Sequence, residues 1–233
     1  GHAKAYKNKI DENFENEIQN LDILSIFEKI IESYLTTQFP HLQGTKDPLP
    51  FHTYLAVFHL FNKSVANAIF GYNFYSVQWP MDQIAQYGLI IYDRNGKFYF
   101  KHQTYAEYLV AVFVYNLMNS HETPQLNFII KIITTASFQC VRMFLDLMLN
   151  KVDKVQDLNI FNSSHQICEK VKNKKNFMNL CVSEKLFNIF EFFAMVLKKD
   201  DPELFKDVIE QKDCNGASNL MQILPQATNV IKF

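Results

Sequence analysis

Glycine and proline are scarce in this sequence. Six glycines and seven prolines in 233 residues supply too few tight turns for a β-sandwich, which needs a turn signal between each pair of short strands. A bias of charge is missing too. The 23 basic and 24 acidic residues leave a formal charge of −1, so the chain carries no nucleic-acid-like electrostatic footprint. No apolar run approaches the roughly 18 residues of a membrane span, and no membrane association is expected. Cys140, Cys168, Cys181 and Cys214 stand far apart, with no C-x-x-C pair and no secretory signal ahead of them. They are expected to be buried free thiols in a reducing, cytoplasmic compartment. The sequons Asn62-Lys63-Ser64 and Asn162-Ser163-Ser164 carry little weight without secretion.

Catalytic signatures are missing as well. Gly44, Gly71, Gly88 and Gly96 are isolated and form no G-x-x-x-x-G-K-[ST] phosphate loop, and no H-E-x-x-H, G-x-S-x-G or Cys/His zinc spacing occurs. No catalytic residue and no metal ligand is therefore assigned. His52 and His59 fall on one helix face, but seven residues of helix separate them by roughly 10 Å, too far to chelate one metal. Both are expected to be half-buried. Glu28 and Glu32 lie one turn apart on the wet side of an amphipathic helix. The basic run Lys170 to Lys175, KVKNKK, has no interleaved aromatic side chains and reads as a solvated loop, so a nucleic-acid partner is not expected.

Phenylalanine is abundant. The 22 copies recur mostly at helical spacing, which places the chain in the mainly α class. Residues 1–19 form a polar lead-in whose opening GHA reads as a cloning remnant, implying an excised piece of a longer protein. In LDILSIFEKIIESYL, Leu24, Phe27, Ile31, Tyr34 and Leu35 follow helical intervals, with Asp22 as N-cap. Further helices are expected in FHTYLAVFHLFNK, in SVANAIF up to Gly71, and in QWPMDQIAQYG, with Pro80 in its first turn and Gly88 as its stop.

The strongest local signal is GLIIYDRNGKFYFKH, residues 88–102. Asn95-Gly96 suits a two-residue type I′ hairpin turn. That turn opposes Arg94 with Lys97, Asp93 with Phe98, Ile91 with Phe100 and Leu89 with His102. Leu89, Ile91, Phe98 and Phe100 then share one face, and His102 ends it. Thr104 and Glu107 read as a T-x-x-E capping box that starts a helix from Tyr105 to about Met118. Helices, hairpin and helix together make a winged-helix-like unit. His102 stands just before the new helix, where backbone N–H groups and the helix dipole favour an anion.

Beyond Ser120, LNFIIKIITTA, FQCVRMFLDLML and LFNIFEFFAMVL read as helices, with a loose connection from Lys151 to Asn176. Asp201 caps a further helix, with Pro202 at its first position. Asn215-Gly216 turns before a last short helix. This rhythm, with the D-x-x-G-x-x-x-L phrase from Asp213 to Leu220, is ankyrin-like but degenerate. The expected organisation is lead-in 1–19, a helical and winged-helix module 20–120, a helical connector 121–182 and helical, ankyrin-like repeats 183–233.

The stretch FYFKHQTYAEYLVAVF, Phe98 to Phe113, resembles the F-x-F-x-H-x-T-F-x-E-Y-x-x-A signature that closes the winged-helix region of NACHT-type signalling NTPases (NOD-like-receptor-like proteins). Phe98, Phe100, His102, Thr104, Glu107, Tyr108 and Ala111 match; Tyr105 replaces the usual phenylalanine. The preceding YGLIIYDRNG resembles the family hairpin, and DILSIFEKIIESYL its upstream helix. The likeness covers residues 20 to 120 and points to members that continue into ankyrin repeats. It implies that His102 contacts the β-phosphate of ADP in the full-length parent, where ATP, ADP and magnesium are held by an upstream nucleotide-binding domain. It also implies a non-catalytic regulatory fragment that couples nucleotide state to oligomerisation, a signalling partner and innate-immune signal transduction. No cofactor is expected within the fragment itself, and no enzyme is expected within these 233 residues. The rival expectation is a nucleotide-independent adaptor that binds a partner protein through its helical repeats.

Overall fold

The computed structural model describes residues 22–36, 49–71, 81–120, 125–152, 157–172, 176–211 and 218. Among them the chain is mainly helical, with one antiparallel hairpin. In order come α1 (Ile23–Thr36), α2 (Leu49–Leu60), α3 (Lys63–Phe70), α4 (Met81–Gln86), β1 (Ile90–Tyr92), β2 (Phe98–Phe100), α5 (Gln103–Asn119), α6 (Leu126–Thr134), α7 (Gln139–Leu149), α8 (Ser164–Val171), α9 (Asn176–Ser183), α10 (Phe187–Asp200) and α11 (Pro202–Glu210). No described helix is long and apolar enough to cross a membrane. The chain divides into two compact units, residues 1–49 with 79–101, and residues 50–78 with 102–233. Pro80, Cys214, Asn215-Gly216 and the phrase from Asp213 to Leu220 lie outside the described residues, Ser218 apart.

In the first unit, the Asp22 carboxylate accepts the Ser25 N–H at 2.7 Å and caps α1. Leu24 and Ile31 of that helix are buried, while Glu28 and Glu32 face water. After α4, Gly88 turns the chain with φ 81, a left-handed conformation that only glycine adopts without strain. The hairpin then forms in a different register from the expected one. Ile90 opposes Phe100, Ile91 opposes Tyr99 and Tyr92 opposes Phe98. The loop has three residues rather than two, closed by the Asp93 N–H to the Lys97 carbonyl at 2.8 Å.

Asp93 causes the difference. Its Oδ1 accepts the N–H groups of Asn95 at 2.8 Å and of Lys97 at 2.9 Å, and its carbonyl accepts the Gly96 N–H at 3.2 Å. These bonds build a tight turn followed by one left-handed residue, Gly96 at φ 77, while Asn95 keeps negative φ. A type I′ turn would need positive φ at both. The slip of one residue turns β1 over. Ile90 now lies inward with Phe100, at 2% and 7% exposure, whereas Ile91 and Tyr99 point outward at 52% and 47%.

The second unit is built on helices buried on several sides. In α2, Phe51 to Val57 are all buried; in α5, so are Ala106 to Ala111, Val114 and Met118. The Tyr54 hydroxyl donates to Asn67 of α3 at 3.0 Å. Asn62 caps α3 through the Val65 N–H, and Gly71 ends it at φ 83. The phenylalanines join these helices in a chain of ring contacts: Tyr54–Phe70, Phe70–Phe113, Phe113–Phe128, Phe128–Phe61 and Phe61–Phe138, with centroids 4.6 to 6.1 Å apart. Such pairs contribute ~0.5–1.5 kcal/mol each beyond their burial.

Two polar clamps hold the later helices. Arg142 of α7 is fully buried. Its guanidinium donates to the carbonyls of Ile132, Thr135 and Ala136, which close the end of α6. It also makes a two-pronged ion pair with Glu184 just beyond α9, at 2.9 and 2.6 Å. One turn on, the Asp146 carboxylate accepts the Ile189 N–H at 2.8 Å and the Asn188 amide at 2.9 Å, capping α10 from another helix. Burial raises its pKa, and those two donors pull the other way. Between α9 and α10 the Leu186 N–H reaches Cys181 and the Lys185 N–H reaches Val182, a Schellman closure. Lys185 stands at φ 59 in the place glycine usually takes.

The stretch expected as a loose connection, Lys151 to Asn176, contains a 3₁₀ turn (Asn159–Ser163) and α8. Ile160, Ile167, Cys168 and Val171 from it are buried. The expected boundary at 182/183 falls inside α9. Asp201 caps α11 through the Leu204 N–H at 3.0 Å, with Pro202 in the first turn.

Two outcomes test these features. Asp93→Ala removes both turn bonds and is expected to cost the hairpin ~1 kcal/mol. Gly96→Ala is expected to cost ~1–2 kcal/mol through its positive φ, since the added carbon meets only the Tyr92 hydroxyl, at 3.6 Å. Hydrogen exchange of the Asp93 and Lys101 amides reads both; an Asp93→Ala variant with unchanged protection would reinstate the two-residue turn. Glu184→Ala strands the buried Arg142 charge and is expected to lose ~3–5 kcal/mol in denaturant unfolding. The double change Arg142→Met with Glu184→Leu is expected to recover most of that.

Candidate functional site

The site suggested by the sequence lies where β2 passes into α5. His102 is still extended, at φ −133 and ψ 130, and occupies the N-cap position of a 17-residue helix. Its carbonyl accepts the Tyr105 N–H at 3.0 Å, the bond that opens the helix. Its imidazole is exposed and stands edge-on to Tyr105, with ring centroids 5.2 Å apart. No side chain caps the helix start. The start of the helix, the positive end of its dipole, therefore has no side-chain cap and lies beside an exposed imidazole that can donate a hydrogen bond. That combination suits an anion.

The expected capping box does not form. The helix opens at Gln103, so Thr104 sits inside the first turn rather than ahead of it. Glu107 reaches back to a side chain of the first turn, not to the backbone N–H that a capping box would use. Its carboxylate accepts the Gln103 amide at 2.8 Å, an i,i+4 pair, and the residue is 9% exposed. The Gln103 side chain thus engages the carboxylate that the capping box would have used. Asn95 and Gly96, expected as structural residues, both lie in the hairpin loop, with only Gly96 left-handed.

Glu107 instead joins a set of titratable groups that the sequence reading missed. The Cys140 thiol of α7 is raised in pKa by burial, then by the charge of Glu107 and a hydrogen bond to it. His59 of α2 is lowered by burial, with the Glu107 charge opposing. The signal was present: a lone acid within YAEYLVAVFVY interrupts an apolar run buried on several sides. Both influences on Cys140 disfavour its thiolate. Among the described residues, no three His, Cys, Asp or Glu side chains are grouped to hold a metal ion.

The remaining candidates scatter. His52 is buried and His59 exposed, so the half-buried pair is not found. Cys168 and Cys181 are buried free thiols as expected, but Cys140 is exposed. Burial pushes the Cys181 thiol up to about 12. In the basic run, Lys170 bonds Asn127 at 2.6 Å and Lys172 pairs with Asp201 at 3.3 Å; Asn173, Lys174 and Lys175 lie outside the described residues.

Thiol chemistry checks the Glu107 neighbourhood. Removing the carboxylate charge by Glu107→Gln lowers the Cys140 pKa, so more thiolate is present at neutral pH. Iodoacetamide labelling of the Cys140 peptide at pH 7 is expected to speed up, with the pH–rate midpoint shifted down. An unchanged midpoint would place the carboxylate too far away to matter.

No family model, curated protein or solved structure matches this chain, so the likeness to the NACHT-type winged helix rests on the quoted residues alone.

Proposed function

We propose that this chain is the winged-helix and following helical part of a NACHT-type signalling NTPase, a non-catalytic regulatory segment. It senses the nucleotide held by an upstream domain and passes that state to the helices behind it and to an oligomer. One observation carries the reading: His102 is an exposed imidazole at the uncapped start of a long helix, directly behind a hairpin. In the resting state His102 donates to the β-phosphate of ADP, and the helix N-terminus adds to the attraction. The phosphate loop and magnesium ligands belong to the upstream domain. On its own the chain binds ADP weakly and turns over no ATP.

His102→Ala tests this in the full-length protein. Losing a charge-assisted hydrogen bond of ~1.5–3 kcal/mol from the closed form is expected to raise the ADP off-rate about ten- to a hundredfold and to favour the open or oligomeric state. In the isolated chain the same change is expected to cost no more than ~1 kcal/mol of stability. An off-rate equal to wild type would leave His102 as a hinge between strand and helix.

A further inference from the structure

Exposed apolar side chains are not spread evenly. The large ones among the described residues are Ile23, Ile26, Ile91, Tyr92 and Tyr99, and all five belong to the first unit. Three lie on the hairpin. Ile91 and Tyr99 oppose each other directly across its outer face, at 52% and 47% exposure. Directly opposed side chains sit about 4.5–5.5 Å apart at Cβ, so the two form one patch rather than isolated residues. Lys97 and Lys101 flank Tyr99 on the same face of β2, and Arg94 stands at the loop tip; all three are exposed.

The cations near the tip are available. Lys101 already lies over the Tyr34 ring at 5.7 Å, but Arg94 and Lys97 make no ion pair with a described residue. Asp93, the one carboxylate of the loop, is occupied by the Asn95 and Lys97 N–H groups. The patch is therefore apolar at its centre and basic at its rim, the layout of a small protein–protein contact.

We propose that the outer face of this hairpin docks a protein segment rich in carboxylates and apolar side chains. Ile91 and Tyr99 receive its apolar groups, while Arg94 and Lys97 pair with its carboxylates. The aliphatic half of the patch favours a peptide over a nucleic acid, since Ile91 offers no ring on which a base can stack. The whole chain's charge of −1 points the same way. A patch this small suits a transient, micromolar contact. It is independent of the nucleotide reading, because it involves neither His102 nor α5.

The test uses the full chain and three defined probes: a labelled ten-residue peptide alternating Glu with Leu and Phe, the same peptide with Lys for Glu, and oligo(dT). Fluorescence anisotropy is expected to show the acidic peptide binding most tightly, with affinity falling as salt rises. Tyr99→Thr and Ile91→Thr keep strand-forming residues and are each expected to weaken binding about fivefold or more. Lys97→Glu is expected to do the same and to flatten the salt dependence. Hydrogen exchange of the hairpin amides checks that each variant keeps its fold. Equal binding of the acidic and basic peptides, tighter binding of oligo(dT), or folded variants that bind as wild type would each overturn the proposal.

Discussion

Arg142 concentrates the second unit's polar demands on one side chain. A helix end leaves carbonyls that need donors, and a buried guanidinium leaves donors that need acceptors. Here each solves the other's problem: the end of α6 accepts from Arg142, and Glu184 neutralises what remains. Arg142 has no solvent exposure and Glu184 has 11%, so the pair is held by geometry rather than by water. Neighbouring Asp146 repeats the device, lending a carboxylate to a helix start it does not belong to. These contacts set where α6 stops and α10 starts, and so the space that the phenylalanines of α10 fill.

How much of this was legible depends on how local the cause was. Asp22, Gly71, Gly88 and Asp201 mark helix ends where the sequence placed them, because a cap acts within three or four residues. The hairpin was legible as an element but not in register. Asp93, two residues before Asn95, offered the backbone a competing set of bonds and tipped the loop from two residues to three. The helix α8 was hidden by its composition, since its few buried apolar positions are diluted by charged and amide side chains. Arg142 was invisible. In FQCVRMFLDLML it looks like the wet side of an amphipathic helix, and its partner stands 42 residues away.

The candidate site divides the same way. His102 was placed correctly at the join of strand and helix because the change from period two to helical spacing is a local signal. Glu107 was assigned to that same join, yet it faces the packed side of the helix, where only knowledge of α2 and α7 could place it. Two residues five apart in one phrase thus belong to different environments. One presents an imidazole to solvent at the uncapped helix start; the other is a buried carboxylate whose charge raises the pKa of a neighbouring thiol. The NACHT-like phrase spans both, so a match to it says nothing by itself about which of its residues meets a ligand.

The paired clamps also bear on the order in which the chain assembles. Arg142 to Glu184 and Asp146 to Asn188 close almost the same loop, each spanning 42 residues. Loop-closure entropy is spent when the first of them forms, and the second then forms at little further entropic cost. The two contacts should therefore appear together, late and cooperatively, after the consecutive helices α6–α7 and α9–α10 have formed. The same logarithm makes the enclosed chain forgiving in length, because doubling a loop adds only about 0.6 kcal/mol. A lineage could lengthen or shorten the segments on either side of α8 while leaving the clamps, and the helices they align, where they are.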